Sequence, residues 1–394
     1  MPQLSPRVTD MNDQGSDGWE VFARARAMVE QGIPVTELTI GEHDIRTAPA
    51  ILDAMHAAAH AGHTGYATVP GITPLRQAIA TRVTQRTGVP TKVENVLVTP
   101  GGQAALFAAH LTTLQPGDAA LYVDPYYVTY PGTLRACSAR PVAIPTTAEN
   151  SFFPTKGALD TAAQTPGAKT LLINTPNNPT GTIYPRAVLE NIAQTCRDHD
   201  LWLISDEVYD TQTWEGDHLS PRALPGMAER TIVIGSMSKS HAMTGSRIGW
   251  IFAPPHVIEA LSDLAVSTTY GVPGYIQDAA LYALTQGPDL EQEIAEPFRR
   301  RRALALDVLA RQGTVGVIPS QGAMYLMLDI RKTGLSGQDF ANRLLDSHHI
   351  AVMPGESFGI SAAGHLRIAL TVNDDRLLVA LETLCTFAQS LTRA

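Results

Sequence analysis

Between residues 95 and 253 the chain alternates compact apolar runs with helical patterns, and this alternation narrows the fold more than any other feature. Asn95–Thr99 (NVLVT), Ala120–Val123, Pro141–Ile144, Thr170–Asn174, Leu201–Ser205, Thr231–Ile234 and Ile248–Ala253 each read as a short strand. The alanine- and leucine-rich Gly101–Leu114, ended by the turn Gln115-Pro-Gly-Asp118, reads as a helix, as does Arg186–Arg197. Strands apolar on both faces and spaced by helices imply a mostly parallel, seven-stranded sheet sandwiched by helices, an α/β architecture.

After Pro255 the pattern changes. Helices are expected over Pro255–Val266, Tyr275–Thr285 and Asp289–Gln312. A smaller α+β portion follows, with strands at Ala323–Leu328 and Leu366–Leu370, a helix at Gly337–Asp346 and a last helix from Asp374. Near the start, Trp19–Glu30 reads as a helix before the turn Gly32-Ile-Pro34. A chain of 394 residues is too long for one small core. The expected division is an N-terminal arm with part of the small domain at 1–45, a large domain at 46–285 and a small C-terminal domain at 286–394.

The net charge of −9, with no basic run, argues against a nucleic-acid partner. Cys137, Cys196 and Cys385 are too far apart for a C-x-x-C metal site, and a disulfide framework is not expected. The polar N-terminus lacks an apolar signal core, and no stretch reaches the length of a membrane span. A cytoplasmic protein without membrane attachment is expected.

The segment Ser236–Ile248 (S-M-S-K-S-H-A-M-T-G-S-R-I) carries the chemistry. Lys239 stands between hydroxyl residues, and Arg247 follows eight positions later. A lysine amine forms a Schiff base with a carbonyl, and the planar fork of an arginine grips a phosphate. Pyridoxal 5′-phosphate offers both groups in one molecule. Lysine is scarce here, with five against 24 arginines. A lone lysine is most often a solvated surface charge, so the reading depends on what else the chain supplies.

Four further pieces fall at strand ends, where open parallel sheets bind ligands. Gly101-Gly102-Gln103-Ala104 follows the first strand and opens a helix, whose free N–H groups suit a phosphate. Asn178-Pro-Thr-Gly181 offers an amide to a phenolate oxygen, although an isolated N-P-x-G is more often a plain turn. Asp206, in Ser205-Asp-Glu-Val-Tyr209, could keep a pyridine nitrogen protonated, with Tyr209 reaching the phenolate. One of Tyr126 and Tyr127 could stack on the ring. A Walker loop and a G-x-G-x-x-G after a strand are both missing, which disfavours a dehydrogenase-like reading.

With these pieces in order, the chain resembles the class I/II, fold-type-I aminotransferases that depend on pyridoxal phosphate, over about residues 35 to 390. The resemblance also rests on Leu38-Thr-Ile-Gly-Glu-His-Asp44, Tyr66-Ala-Thr-Val-Pro-Gly71 with Leu75-Arg76, Met353-Pro-Gly-Glu-Ser-Phe-Gly359 and His365-Leu-Arg-Ile368. It implies that Lys239 carries the cofactor, Asp206 pairs with the pyridine nitrogen, and Asn178 and Tyr209 meet the phenolate oxygen. Ser236, Ser238, Arg247 and the backbone of Gly102, Gln103 and Ala104 would bind phosphate. Tyr127 would stack. Tyr66 would reach the phosphate of a neighbouring subunit, implying a homodimer with shared sites. Arg367 would clamp the substrate α-carboxylate, with Gly41 and Asn178 nearby.

The implied activity is ping-pong transfer of an amino group from an L-amino acid to a 2-oxo acid. Within the family, S-K-S-H-A-M-T-G, Tyr270-Gly, Ile276-Gln-Asp-Ala-Ala280 and Ser361-Ala-Ala-Gly-His365 are similar to the bacterial arginine–pyruvate transaminases, so a basic or neutral donor and pyruvate are expected. Asp13, Asp17, Glu20, Glu42 and Asp44 are the acidic candidates for a basic side chain. His43, Ser246 and Tyr127 depart from a proline and two tryptophans frequent in the family. The alternatives are a C–S lyase on the same fold and a pyridoxal-phosphate-binding regulator. The regulator is disfavoured by the short, non-basic segment ahead of the match.

Overall fold

The computed structural model describes residues 2–12 and 18–392. Seven strands form one sheet: β1 (Val96–Thr99), β2 (Ala119–Val123), β3 (Arg140–Ile144), β4 (Ala168–Asn174), β5 (Trp202–Asp206), β6 (Thr231–Ser236) and β7 (Gly249–Phe252). Their order is β1-β7-β6-β5-β4-β2-β3. β3, β2, β4, β5 and β6 pair in parallel, whereas β7 runs antiparallel to both β6 and β1. The mostly parallel sheet expected from the apolar runs is present.

Side-chain alternation explains the helices on both faces. Leu97, Leu172, Ile204, Ile232 and Ile251 share one cluster with Ala105 and Leu106 of helix α1 (Gly102–Thr113) and with Leu261. Val96, Val98, Val233 and Phe252 face the other way, onto Ile51, Leu75 and Ile79. Leu121, Leu171 and Leu203 lie against Leu189 and Ile192. Each such fully buried leucine or isoleucine contributes about 1.5–3 kcal/mol relative to exposure. Among the described residues β3 pairs only with β2, and it is part-exposed, so Arg140 and Pro141 are tolerated at the sheet edge.

The parallel strands end together, bringing Thr99, Asn174, Asp206 and Ser236 to one edge. β7 starts at that same edge, because Gly249 pairs with both Thr99 and Ser236. Arg247 therefore arrives beside the ends of the parallel strands although its own strand runs the other way. Two short helices complete this rim: α2 (Tyr130–Ala136) and α3 (Met237–Ser240).

A second, four-stranded antiparallel sheet is built from Gly316–Val317, Tyr325–Asp329, Met353–Pro354 and His365–Ala369. The Tyr325 strand starts two residues later than expected, since Ala323 has a φ of 56° and cannot extend a strand. The segment before the first sheet is tied to this half: Thr36–Glu37 pairs in parallel with Ile350–Ala351, and Leu38 bridges Ala351 and Ala369 through its backbone. That tie carries Gly41 to the rim of the large sheet. The three cysteines are free and buried. Among the described residues no helix is long and apolar enough to cross a membrane.

Candidate active site

A cavity of about 300 Å³ opens at the carboxyl edge of the sheet. Of the fourteen residues singled out from sequence, twelve line it: Gly41, Gly102, Gln103, Tyr127, Asn178, Asp206, Tyr209, Ser236, Ser238, Lys239, Arg247 and Arg367. They come from positions 41 to 367, and the two sheets and the N-terminal segment bring them together.

β6 delivers Lys239. Its last residue, Ser236, caps α3 by accepting the Ser238 N–H at 3.1 Å, which sets the turn carrying the lysine. Lys239 Nζ donates to the Gly41 carbonyl. Burial lowers the lysine pKa; Tyr325 opposes that shift and Arg367 adds to it. The backbone carbonyl of Lys239 is 3.1 Å from His43 Nε2. Burial drives His43 down to about 3, so its ring is neutral and Nε2–H donates to that carbonyl. The histidine that stands in place of the frequent proline thus touches the backbone of Lys239.

Gly101 precedes α1 with a φ of 85°, and a Cβ there would run into the Arg247 guanidinium. This close approach places Arg247 beside the N–H groups at the start of α1. Arg247 also has a positive φ, 49°, and its Nη1 donates to Thr244 O at 2.8 Å. The Gln103 side chain is held by Thr133 and Thr129 at 2.9 and 3.0 Å.

Asp206 ends β5 and is buried. Its Oδ2 accepts the Tyr130 hydroxyl at 2.7 Å. Burial pushes its carboxyl up to about 6, chiefly against the Tyr130 hydrogen bond. Asn174 Nδ2 donates to Asp206 O at 2.8 Å, and Asn174 Oδ1 accepts the Asn178 N–H at 2.7 Å, so the ends of β4 and β5 and the following turn are fixed together. The Tyr209 and Tyr325 hydroxyls are 3.0 Å apart. Burial, then Tyr325, holds Tyr209 protonated, well above its ordinary range.

Arg367 lies in the small sheet, opposite Met327 and Met353. Its guanidinium is 4.5 Å from the ring centroids of both Tyr325 and Phe358. Nη1 donates to Asn178 Oδ1 at 2.9 Å and Nη2 to the Thr39 carbonyl, while Nε has no partner among the described residues. A buried guanidinium without a carboxylate is an incomplete arrangement that an anionic ligand would complete.

The sequence profile of the family described as aminotransferase class I and II matches residues 33–384. The chain belongs to this family. It is 43% identical over 378 residues to the arginine–pyruvate transaminase of Pseudomonas aeruginosa, covering 96% of each chain. It is 37% identical over 398 residues to the aspartate/prephenate aminotransferase of Thermus thermophilus, covering 100% of both. A solved aspartate aminotransferase from Thermus thermophilus with maleate superposes with a TM-score of 0.91 at 35% identity, covering 99% of this chain and 100% of that one. This aminotransferase therefore moves amino groups from amino acids to 2-oxo acids, and the lyase reading is not favoured.

Two of the fourteen residues lie off the cavity of this aminotransferase. Ala104, the residue after Gln103 on α1, lines a separate surface pocket together with Val8 and Met11. Tyr66 is 90% exposed and meets Tyr270 edge-on at 5.0 Å. Other residues at the site were not foreseen. Tyr325, Trp19, Asn174 and Thr244 line the cavity, while Tyr130 and Phe358 support it from outside; Glu42, one of the acidic candidates, lines it as well. Of the acidic candidates, Asp44 is taken by Arg301 at 2.6 and 2.8 Å, and Asp13 and Asp17 lie outside the described residues.

Proposed function

We propose that this aminotransferase works with pyridoxal 5′-phosphate on Lys239, as one of two subunits sharing their sites. The observation that carries the reading is the convergence of Lys239, Arg247 and Arg367 on one cavity with Asp206 buried in its wall. The residues fit the group. Arg247, Ser236, Ser238 and the first N–H groups of α1 would hold the phosphate. Asp206, with Oδ2 taken by Tyr130, would offer Oδ1 to the ring nitrogen. Tyr127 would cover a ring face, and Tyr209 and Asn178 would meet the phenolic oxygen.

When bound, the cofactor supplies an aldehyde that condenses with amines and a ring that draws electrons from the substrate Cα. Arg367 binds the α-carboxylate and so orients the Cα–H bond toward Lys239. Freed from the cofactor when the substrate amine takes its place, and shifted toward its neutral form by burial, Lys239 Nζ would take the Cα proton and later give it up to the carbon that had carried the aldehyde. The aromatic walls Tyr127, Tyr209 and Tyr325 keep bulk water from this transfer. The exposed Tyr66 would serve the partner's phosphate site, which gives a 90% exposed aromatic ring a use.

Arginine or another basic or neutral amino acid is the proposed donor, with pyruvate as acceptor. The likeness to an arginine–pyruvate transaminase supports this. So does the cavity: beyond Lys239, Arg247 and Arg367 no described lining residue is a lysine or arginine, so a second substrate carboxylate finds no further cation on this subunit, while Glu42 lines the cavity. A panel of amino donors assayed with pyruvate and with 2-oxoglutarate tests it. Arginine should exceed aspartate by a wide margin in kcat/KM; a preference for aspartate would remove the proposal.

A further inference from the structure

Tyr130 does not line the cavity, yet its hydroxyl donates to Asp206 Oδ2 at 2.7 Å, with both side chains buried. Among the described residues the other oxygen, Oδ1, receives only a long contact of 3.4 Å from the Val208 N–H. One carboxylate oxygen is therefore tied from behind and the other is left for a ligand. The tie is itself well anchored. Tyr130 opens α2, its backbone N–H donates to Tyr127 O at 2.9 Å, and its ring meets the Tyr127 ring edge-on at 5.8 Å.

We infer that Tyr130 is a positioning residue that keeps Asp206 ionised and aimed, so that the strength of the aspartate–ring-nitrogen pair is set by a tyrosine the ligand never touches. The inference rests on the pyridoxal phosphate reading above. Its physical content is a competition. Burial alone favours the neutral acid at Asp206, and a neutral acid would no longer favour a protonated ring nitrogen. A hydroxyl donated to the carboxylate favours the ionised form, and charge-assisted hydrogen bonds in a dry site are the strong ones. Tyr130 remains a donor, because burial beside Asp206 holds its own proton. Among the described residues, the other titratable groups acting on Asp206 are Glu207, which opposes ionisation, Lys239, which favours it, and Tyr127, whose proton Asp206 helps to hold. None of them is hydrogen-bonded to the Asp206 carboxylate; among the described residues the hydrogen bonds to it come from the Tyr130 hydroxyl and the Val208 N–H. Removing the Tyr130 hydroxyl thus weakens the ligand contact made by Oδ1 without replacing any residue of the cavity wall.

The test separates charge tuning from mere packing. Apoprotein is titrated with pyridoxal 5′-phosphate and with its 1-deaza analogue, in which a C–H replaces the ring nitrogen. Tyr130→Phe should weaken binding of the natural cofactor by about tenfold or more, as expected for a lost hydrogen bond to a charged group, and leave the deaza analogue's affinity unchanged. 3-Fluorotyrosine introduced at position 130, the same shape with a more acidic hydroxyl, should shift the ratio of the two affinities the opposite way, and it serves where Tyr130→Phe fails to fold. Equal losses for both ligands, or no change in the ratio with either replacement, would overturn the inference. Failure of the unsubstituted apoprotein to bind either ligand would instead overturn the cofactor reading on which it rests.

Discussion

Arg367 Nη1 donates to Asn178 Oδ1 at 2.9 Å, joining the small sheet to the turn after β4 across 189 residues of sequence. Through this bond the proposed carboxylate clamp and the proposed phenolate contact share one amide. The rings of Tyr325 and Phe358 fix the guanidinium from two sides, so its orientation exists before any substrate arrives.

Arg367→Lys keeps a positive charge but loses the planar fork and the ring contacts. It should raise KM for donor and acceptor alike on the order of tenfold to a hundredfold, as for a lost charge-assisted pair. Steady-state kinetics on both substrates, with far-UV circular dichroism to verify folding, provide the check. An unchanged KM would take Arg367 out of the carboxylate site.

Gly41 leaves no room for a side chain: a Cβ would lie on the Tyr325 hydroxyl, which is 3.0 Å from Tyr209. The Gly41 carbonyl also accepts from Lys239. Gly41→Ala should therefore displace Tyr325 and lower stability by about 1–3 kcal/mol, the usual cost of overpacking, with a loss of turnover. Denaturant melts and activity read this together. A fully active variant of unchanged stability would show that the loop relaxes freely.

Acid should weaken the cofactor site. In the cofactor-free protein burial pushes Asp206 up to about 6, whereas the proposed contact needs the carboxylate. Affinity for pyridoxal phosphate is then level above about pH 6 and falls below it as Asp206 takes up a proton. The same raised pKa means that Asp206 favours folding below its unfolded value and loses that contribution as pH rises through about 6. Asp206→Asn should hence stabilise the apoprotein at neutral pH, by on the order of 1–3 kcal/mol, while abolishing transamination. Thermal melts of both apoproteins across pH, with parallel cofactor titrations, would contradict this by showing no pH dependence in the difference.

Sequence reasoning reaches whatever is written locally. Lys239, Asp206 and Asn178 follow apolar runs, so their place at strand ends is readable from the runs themselves, and Arg247 carries its own spacing from the lysine. Tyr130 and Phe358 are different. Each supports a charged residue far away in sequence, Asp206 and Arg367, and nothing around either tyrosine or phenylalanine names that partner. Tyr325 and Trp19 reach the cavity through the packing of the small sheet and the N-terminal segment, which no local pattern encodes. The pairing of Thr36–Glu37 with Ile350–Ala351 spans only two residues, too short for any periodicity, yet it delivers Gly41 to the lysine. His43 read as a departure from a motif; its contact with the Lys239 carbonyl depends on the same long-range tie.

The central claim is that an aldehyde cofactor is held on the amine at position 239. Purified enzyme treated with borohydride, digested and analysed by mass spectrometry should yield one peptide carrying a reduced phosphopyridoxyl group, with the modification on Lys239. With five lysines in the chain, the position is discriminating. A modification at Lys92, Lys156, Lys169 or Lys332 instead, or no adduct from enzyme that has been supplied with pyridoxal phosphate, would contradict the account.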